Sequence, residues 1–390
     1  PMSVSPLSHL KVLDFSTLLP GPYCSMMLAD MGADVLRVES IDRVDLIREM
    51  EPMSETGGSV YHETLNRNKQ SLALNLKHPV AVDIVHRLVE DYDIVLEQFR
   101  PDVMDRLGLG YEALSGVNPS LIYCSITGYG QTGPFKHRAG HDINYLSLAG
   151  VMSYGSEARP ALLGTQIADI AGGSLHATSA ILAAALGRDH TGTGCHLDVS
   201  MADCAYALNF FGGAAQLATD TAPQPADGLL NGGSHYGFYE TKDGRYLSVG
   251  SLEPKFLAGL LSGLGIDPKS RDLQTKVADA IAKETLAHWE AVFGASDCCV
   301  EPVLDLREAS RHPQFVERGM VTSSLASGSP LPSPQIASPF VMDGVKPQIN
   351  KVGGSIGADT LSVVSGLGYS HADVEGMAAD GVFSMKGLML

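Results

Sequence analysis

The chain lacks an excess of positive charge, and this absence limits its partners. Its 390 residues include 27 Lys and Arg against 44 Asp and Glu, which gives a formal net charge of -17. Such a chain repels the phosphate backbone, so nucleic acid is not expected as the main partner. A small anionic ligand remains compatible with the composition, because a local cluster of cations can lie in an acidic surface.

Long apolar runs and targeting segments are also missing. No apolar run approaches the roughly 20 residues that a membrane-spanning helix needs. The first residues, PMSVSPLSHLKVLDF, contain no basic region followed by an apolar one. The last residues, KGLML, are not a peroxisomal address of the SKL type. We therefore expect a cytoplasmic protein without a membrane partner.

The cysteines lack the spacing of a metal site. None of the six forms a CxxC pair, and the adjacent Cys298 and Cys299 are poor disulfide partners. We interpret them as reduced thiols and expect no bound metal.

The length and the order of apolar runs indicate two domains. Single hydrophobic cores usually stop growing at about 250 to 300 residues, and this chain is longer. Its first half alternates strand-like and helical segments, which predicts a parallel sheet with helices on both faces and ligands at the carboxyl ends of the strands. Strand-like runs lie at residues 9–15, 33–39, 71–76, 93–99, 121–127 and 192–200, and helical patterns at 23–31, 80–91, 167–186 and 201–217.

A composition change at residues 219–233 (TDTAPQPADGLLNGG) predicts a linker. We predict a large α/β domain over residues 1–220 and a small α+β domain over residues 225–335. The small domain begins with a hairpin around the Asp-Gly turn at residues 242–245. Helical patterns follow at residues 254–264, 273–293, 306–318 and, after a Ser/Pro-rich stretch at 327–339, at 359–378.

Residues 128–133 (GYGQTG) satisfy the GxGxxG pattern of dinucleotide sites and follow a predicted strand. That fingerprint requires a helix opening on the glycines. Pro134 and a polar segment follow instead. We therefore predict a mobile loop over a substrate, whose glycines allow close backbone approach, rather than a nicotinamide or flavin site.

The stretch from Gly140 to Ser174 contains the first candidates for chemistry, His141 and Asp169. Asp169 lies between apolar residues before a long helical pattern rich in small residues, where a carboxylate either caps the helix or reacts. His141 taken alone is more often structural. The presence of both residues in one stretch favours an acid/base function.

Two further sets of charged residues are candidates. Arg67 and Lys69 precede a predicted strand and Arg100 follows another, so they either bind phosphate groups or form solvated surface charge. Glu253 follows a predicted strand and precedes Pro254. It is either an acid of the first helical turn or a carboxylate that orients a catalytic His.

Ordered motifs over nearly the whole chain resemble the family III CoA-transferase superfamily. Within it, HDINY, the Asp of ADIAGG and SLEPKF resemble the α-methylacyl-CoA racemase branch. The motifs are LDFSTLLPGP (13–22), LADMGADVLRVES (28–40), NRNKQSLALNL (66–76), EQFRPDVMDRLGLGYEAL (97–114), ITGYGQTGP (126–134), AGHDINYLSLAG (139–150), IADIAGG (167–173), NGGSHYGFYETKDGRYLSVGSLEPKF (231–256) and DCCVEPVLDLREA (297–309).

The resemblance implies a Rossmann-like, doubly wound large domain, a smaller α+β domain and an interlocked homodimer. It also implies that the tail at residues 340–390 returns to the large domain. It implies an acyl-CoA substrate, with CoA phosphates near the positions of Arg67, Lys69 and Arg100. The residues at the positions of His141 and Asp169 would exchange the proton α to the thioester, and the residue at Glu253 would pair with the His. No cofactor beyond the CoA moiety of the substrate is implied.

Two departures from the family pattern concern CoA contacts. Many members carry a basic residue soon after the VE of the second strand, where this chain has Ser40, with Arg43 three positions on. Arg43 is therefore a further candidate for CoA binding. The tail motif usually written GEHT reads GADT at residues 357–360.

These observations favour a 2-methylacyl-CoA racemase and leave two alternatives open. The first is a CoA-transferase in which Asp169 attacks the thioester, and the second is a non-catalytic CoA-binding protein. For the racemase, we expect the enolate oxygen to be bound by backbone N–H groups beside Asp169 or in the loop at residues 128–133. Ile143, Tyr145 and Leu148 are candidates for the acyl pocket.

Overall fold

The structure is a computed structural model and describes residues 5–325 and 332–383. Its strands are β1 (Lys11–Asp14), β2 (Asp34–Ser40), β3 (Gln70–Leu74), β4 (Ile94–Glu97), β5 (Ile122–Thr127), β6 (Cys195–Ser200), β7 (Gly237–Glu240), β8 (Tyr246–Val249), β9 (Val300–Pro302), β10 (Val321–Leu325) and β11 (Pro332–Ile336).

The α-helices of the described residues are α1 (Pro20–Asp30), α2 (Val60–Leu65), α3 (Pro79–Val89), α4 (Val103–Arg106), α5 (Tyr111–Val117), α6 (Asp142–Leu148), α7 (His176–Thr191), α8 (Met201–Ala207), α9 (Phe210–Thr219), α10 (Pro254–Leu264), α11 (Leu273–Ile281), α12 (Leu286–Phe293), α13 (Leu306–Arg311), α14 (Pro313–Glu317), α15 (Thr360–Gly366) and α16 (His371–Ala379). Short 3-10 turns cover Leu46–Arg48 and Val151–Ser153, and a π-helical segment, Ala168–Leu175, runs directly into α7.

Strands β1 to β6 form one parallel sheet in the order β3-β2-β1-β4-β5-β6. Strands β4 and β5 are buried at every position, as expected where helices cover both faces of a parallel sheet. This order is that of the Rossmann fold, in which ligands bind beyond the carboxyl ends of the strands, where the order reverses. The predicted α/β doubly wound class is confirmed.

The C-terminal tail packs against β3. The backbone N–H of Asn75 donates to the carbonyl of Val382 at 2.8 Å, and the N–H of Ser71 donates to Oδ2 of Asp359 at 2.8 Å. Val364 and Phe383 belong to the same buried cluster as the strand residues. The hydrophobic core on this face of the sheet is therefore built from both ends of the chain.

Four helical patterns that the sequence predicts as single helices are broken. The pattern at 201–217 divides between α8 and α9, and 273–293 divides where Thr285 caps α12 by accepting the His288 N–H. The pattern at 306–318 divides before Pro313, and 359–378 divides near Gly368, whose φ is 88°. In the last three cases a capping, Pro or Gly residue outweighs the apolar periodicity. The Ser/Pro-rich stretch at 327–339 lies partly outside the described residues, and its described part contains β11.

The chain packs as two units. The first comprises residues 1–146, 164–208 and 314–390, and the second residues 147–163 and 209–313. The second unit contains the antiparallel sheet β7-β8-β9, and its core surrounds Trp289, whose indole N–H donates to the carbonyl of Ile281 at 2.8 Å. This division assigns residues 147–163 and 209–220 to the second unit and 314–335 to the first, unlike the predicted domain boundaries.

One helix, Ala168–Thr191, is long and apolar enough to cross a membrane by length and composition. Core helices of soluble proteins meet the same two criteria. Ala177, Ile181 and Ala185 of this helix are buried within the protein.

Candidate active site

A cavity of about 470 Å³ opens beyond the carboxyl ends of the parallel strands in the first unit. Its walls come from the segments that follow β1, β4, β5 and β6, together with the start of α6. His141 and Asp169 both line this cavity. The fold therefore brings together the two residues that the sequence selected for acid/base chemistry.

His141 lies immediately before α6, and neighbouring groups fix its backbone. Its N–H donates to Oδ1 of Asn144 at 3.0 Å. Tyr145 holds the turn that precedes α6, because its hydroxyl donates to the carbonyl of Gly140 at 2.5 Å. A Cβ at Gly128 or at Gly140 would lie 2.7 Å from the Tyr145 ring. Both glycines are needed for this close packing, which presents the exposed imidazole to the cavity.

Asp169 lies in the first turn of the π-helical segment and is half-buried. Its carboxylate accepts no hydrogen bond from the described residues, so it is not a helix cap. Its backbone N–H donates to Oδ1 of Asp142 at 3.0 Å, which ties the segment to the residue after His141. Burial, and then the negative charge of Asp142, raise the pKa of Asp169 to about 6.

Three cations line the same cavity: Arg100, Lys136 and Arg138. Lys136 Nζ lies 2.9 Å from Oδ1 of Asp102, and the Arg138 guanidinium lies 4.4 Å from the centre of the Phe135 ring. Arg100 is exposed. Sequence reasoning selected Arg100 but missed Lys136 and Arg138, although both occur in the polar segment that follows the glycine-rich loop.

The structure places Arg67 and Lys69 in the interior. Arg67 is 2% exposed, forms a 2.6 Å ion pair with Asp30 of α1 and donates to the carbonyl of Ile336 at 2.5 Å. Lys69 donates to the carbonyl of Pro22 at 2.9 Å and lies 3.6 Å from Asp14. Burial lowers the pKa of Lys69 to about 8, although Asp14 opposes this shift. A phosphate could reach these groups only by displacing internal partners, so their predicted role in CoA binding stays a prediction.

The remaining predicted residues lie outside this cavity. Arg43 is exposed beyond the end of β2, where its backbone N–H donates to Oγ of Ser40 at 3.2 Å. Glu253 belongs to the second unit and precedes α10. Its exposed carboxylate forms no capping hydrogen bond with that helix. Its predicted pairing with His141 stays a prediction.

The glycine-rich loop contributes to the cavity through Gly128 and Tyr129. Among the described residues, no helix opens on residues 128–133, and the next helix, α6, begins at Asp142. The helix on which the dinucleotide fingerprint depends is therefore missing. Of the predicted acyl-pocket residues, Tyr145 lines the cavity, whereas Ile143 and Leu148 are exposed and do not.

Several backbone donors that the sequence selected for an enolate oxygen already have partners. The Asp169 N–H donates to Asp142, the Gly130 N–H to Oγ1 of Thr127 at 2.8 Å, and the Gln131 N–H to Oδ2 of Asp198 at 3.0 Å. These groups would have to lose internal hydrogen bonds before binding a substrate oxygen.

Sequence reasoning also missed two consecutive residues at the end of β4, Glu97 and Gln98. Glu97 is 4% exposed and accepts the Phe99 N–H at 2.8 Å. Burial raises the pKa of Glu97 to about 7, against the lowering effect of hydrogen bonds from Ser125 and Phe99. Gln98 lines the cavity, and its Oε1 accepts the backbone N–H of Gly21 at 2.7 Å. The EQF motif contains both, but its letters do not show which of them reaches the cavity.

Residues 5–325 and 332–383 contain no group of three or more His, Cys, Asp or Glu side chains placed to hold a metal ion. All six cysteines are free thiols.

Comparison with known proteins identifies the family. Residues 7–360 match CoA-transferase family III. The chain is 35% identical over 389 residues to the α-methylacyl-CoA racemase of Mus musculus, covering 96% of each chain. It is 32% identical over 344 residues to the succinyl-CoA:glutarate CoA-transferase of Mus musculus, covering 82% of this chain and 77% of the relative.

A solved structure has the same fold. The crystal structure of a CAIB/BAIF family protein from Brucella suis superposes with a TM-score of 0.80 at 26% identity, covering 93% of this chain and 99% of the other. The order of the parallel sheet, the positions of the motifs and the match over residues 7–360 all indicate the same family. The chain belongs to CoA-transferase family III.

Proposed function

We propose that this protein is a racemase that inverts the α-carbon of a 2-methylacyl-CoA thioester by two-base proton transfer. The observation that carries the proposal is the shared cavity of His141 and Asp169. Similarity over 96% of the chain to an α-methylacyl-CoA racemase supports it.

The residue types suit the chemistry. The carbon next to a thioester carbonyl is a weak acid, and its loss of a proton gives a planar enolate. Inversion requires one group to remove the proton from one face and a second group to return a proton to the other face. An imidazole and a carboxyl group in opposite protonation states meet this requirement, and exchanging those states serves the reverse direction.

The electrostatics of Asp169 support this assignment. Burial and the neighbouring Asp142 raise the pKa of Asp169 to about 6. A carboxyl group with this pKa is available in both protonation states near neutral pH, whereas an unperturbed Asp would be almost entirely ionised. The raised pKa therefore lets Asp169 act as the base in one direction and as the acid in the other.

We assign the CoA phosphates to the cations around the cavity. Arg100, Lys136 and Arg138 line it, and Arg and Lys are the usual partners of phosphate groups. Arg67 and Lys69, the other predicted phosphate ligands, are buried and would have to exchange internal partners in order to contact CoA. Arg43 remains a candidate contact for an extended CoA moiety.

Proton exchange in heavy water tests the function. One enantiomer of a 2-methylacyl-CoA is incubated without an acceptor acid, and the protein should incorporate deuterium at the α-carbon while optical purity is lost. His141→Ala and Asp169→Asn should each abolish inversion while retaining CoA binding. His137→Ala and Asp189→Asn are matched controls, because both side chains are exposed and neither lines the cavity; both should keep full activity.

Glu253 has a secondary role in this proposal. The family resemblance implies that it orients the catalytic His, so Glu253→Gln should slow turnover less severely than His141→Ala. A change in CoA affinity alone would contradict this role. Full activity in His141→Ala or Asp169→Asn would remove that residue from the mechanism.

A CoA-transferase is the second candidate, because the chain is also 32% identical to a succinyl-CoA:glutarate CoA-transferase. In that reaction the Asp169 carboxylate attacks the thioester carbonyl and releases CoA thiolate, leaving a mixed anhydride. The thiolate then attacks the Asp169 carbonyl, which releases the first acid and leaves an aspartyl-CoA thioester. CoA transfer that requires an added acid and survives in His141→Ala would favour this candidate.

The family resemblance also leads us to propose a homodimer of interlocked chains. Exposed apolar side chains, including Phe210, Phe211 and Leu217 of α9, support a contact surface between the chains.

A further inference from the structure

We propose that the side-chain amide of Gln98 is the hydrogen-bond donor that stabilises the enolate oxygen of the substrate. This inference rests on the proposed racemase function and adds a third catalytic residue to it. It starts from a chemical requirement: removing the α-proton moves negative charge onto the thioester oxygen, and a preorganised donor must lie where that charge develops.

The position of Gln98 follows from the sheet. It is the first residue after β4, one of the two strands between which the order of the sheet reverses. Its side chain lines the cavity that contains His141 and Asp169. The residue is half-buried, so a hydrogen bond from its amide competes less with water than one from an exposed group.

The structure fixes which end of the amide is free. The Gly21 N–H can only donate, so the atom that receives it at 2.7 Å must be the oxygen of the Gln98 side chain. The opposite end is Nε2, which carries two hydrogens. It forms no hydrogen bond with any residue in the ranges 5–325 and 332–383. The Gln98 oxygen therefore holds the side chain on the Gly21 N–H, and Nε2 is available to donate to a ligand.

Gly21, whose N–H holds the Gln98 oxygen, is packed closely against its neighbours. A Cβ at this position would lie 2.1 Å from the Ser16 Cβ and 2.8 Å from the Gln98 oxygen. Only a glycine permits this approach, so the start of α1 holds the amide in one orientation. A donor that is fixed before the substrate arrives needs little reorganisation during the reaction.

Several alternative donors are weaker candidates. The backbone N–H groups of Asp169, Gly130 and Gln131 are already bonded within the protein. Asn144 presents a similar amide, whose oxygen accepts the His141 N–H at 3.0 Å, but its side chain is exposed. Gln98 combines partial burial, a fixed orientation and an unused donor in the same cavity.

Gln98→Glu separates a catalytic donor from a structural anchor. The carboxylate keeps an oxygen for the Gly21 N–H and loses the donor, whereas Gln98→Met loses both. We expect both variants to reduce kcat for α-proton exchange by about 10² to 10³, the usual effect of losing one oxyanion donor. Affinity for an acyl-CoA thioether analogue, which has no carbonyl, should remain that of the wild type, as should the Tm of Gln98→Glu.

Two comparisons complete the test. Gln131→Glu adds the same charge on a neighbouring loop outside the cavity, and it should change KM rather than kcat. Asn144→Asp makes the matching change on the exposed amide and should reduce kcat less than Gln98→Glu does.

Three results would overturn the inference. They are wild-type kcat in Gln98→Glu, a larger kcat loss in Asn144→Asp, or a loss of activity in Gln98→Glu that is accompanied by a lower Tm and weaker thioether binding. If the wild-type protein itself exchanges no α-proton, the racemase function fails first, and that result is distinct from any effect of Gln98.

Discussion

At the scale of single residues, Asp142 connects the two proposed proton-transfer groups. It follows His141 directly, and its Oδ1 accepts the Asp169 N–H at 3.0 Å. Its negative charge also contributes to the raised pKa of Asp169. One side chain thus positions Asp169 and disfavours its ionisation, which makes Asp142 a positioning residue with an electrostatic effect.

We predict that Asp142→Asn moves the pH profile to lower pH. In the wild type, Asp169 is ionised above its pKa of about 6. For the enantiomer that needs Asp169 as base, kcat/KM should rise as pH increases through this value, and for the other enantiomer it should fall. Asn keeps the acceptor for the Asp169 N–H and removes the negative charge, so the pKa of Asp169 should decrease.

Measuring kcat/KM for both enantiomers between about pH 4.5 and 8.5, around this pKa, tests the prediction. Both midpoints should shift to lower pH in Asp142→Asn. Unchanged midpoints would show that the charge of Asp142 does not control Asp169.

At the scale of secondary-structure elements, the start of α1 forms part of the cavity wall. The helix begins with Pro20-Gly21-Pro22, where proline is tolerated because the first N–H groups have no partner within the helix. Lys69 donates to the Pro22 carbonyl at 2.9 Å, and Ser174 donates to the Pro20 carbonyl at 2.6 Å. The helix start is therefore held by the side chain of the residue before β3 and by a side chain of the π-helical segment.

We predict that Gly21→Ala destabilises the protein by about 1 to 3 kcal/mol, the usual cost of adding a methyl group to a packed site. The added Cβ would lie 2.1 Å from the Ser16 Cβ and would push against Gln98. Urea unfolding measures the stability, and α-proton exchange measures the accompanying loss of activity.

Gly116→Ala in α5 is the matched control, because its added Cβ would meet no atom within 4 Å apart from its chain neighbours and the backbone of its own helix. It should be neutral or stabilise by about 0.5 to 1 kcal/mol, since alanine favours helix over glycine. Equal stability of Gly21→Ala and the wild type would show that the helix start adapts to the extra methyl group.

At the scale of the whole molecule, the most informative feature is apolar surface on α9. None of its residues is buried. Phe210, Phe211 and Leu217 are 74%, 77% and 72% exposed, respectively. Contiguous exposed apolar residues are uncommon on monomers and usually mark a contact surface.

We predict that the protein sediments with twice its chain mass of 41.2 kDa at micromolar concentration. Burial of the α9 side chains would stabilise the dimer, so the double change Phe210→Glu and Phe211→Glu should increase the monomer fraction or reduce the soluble yield. Sedimentation-velocity experiments over a dilution series measure the mass. A wild-type monomer at these concentrations would contradict the homodimer.

Much of the fold could be predicted because strand and helix patterns are local. The apolar runs at residues 33–39 and 121–127 became β2 and β5 with shifts of one residue. Helix breaks were missed where a single residue ends the pattern, as at Thr285 and Pro313. Apolar periodicity reports which face is buried, but not where a cap or a proline stops the helix.

The sequence by itself determined the family, the α/β class and the choice of His141 and Asp169, because motif order and apolar alternation are properties of the chain. Only the tertiary structure decided which charged groups face the cavity. Arg67 is buried because Asp30, far from it in sequence, supplies the opposing charge. Gln98 has a free donor because the Gly21 N–H occupies its oxygen. Burial and hydrogen-bond partners depend on contacts between distant segments, and these exist only once the sheet has formed.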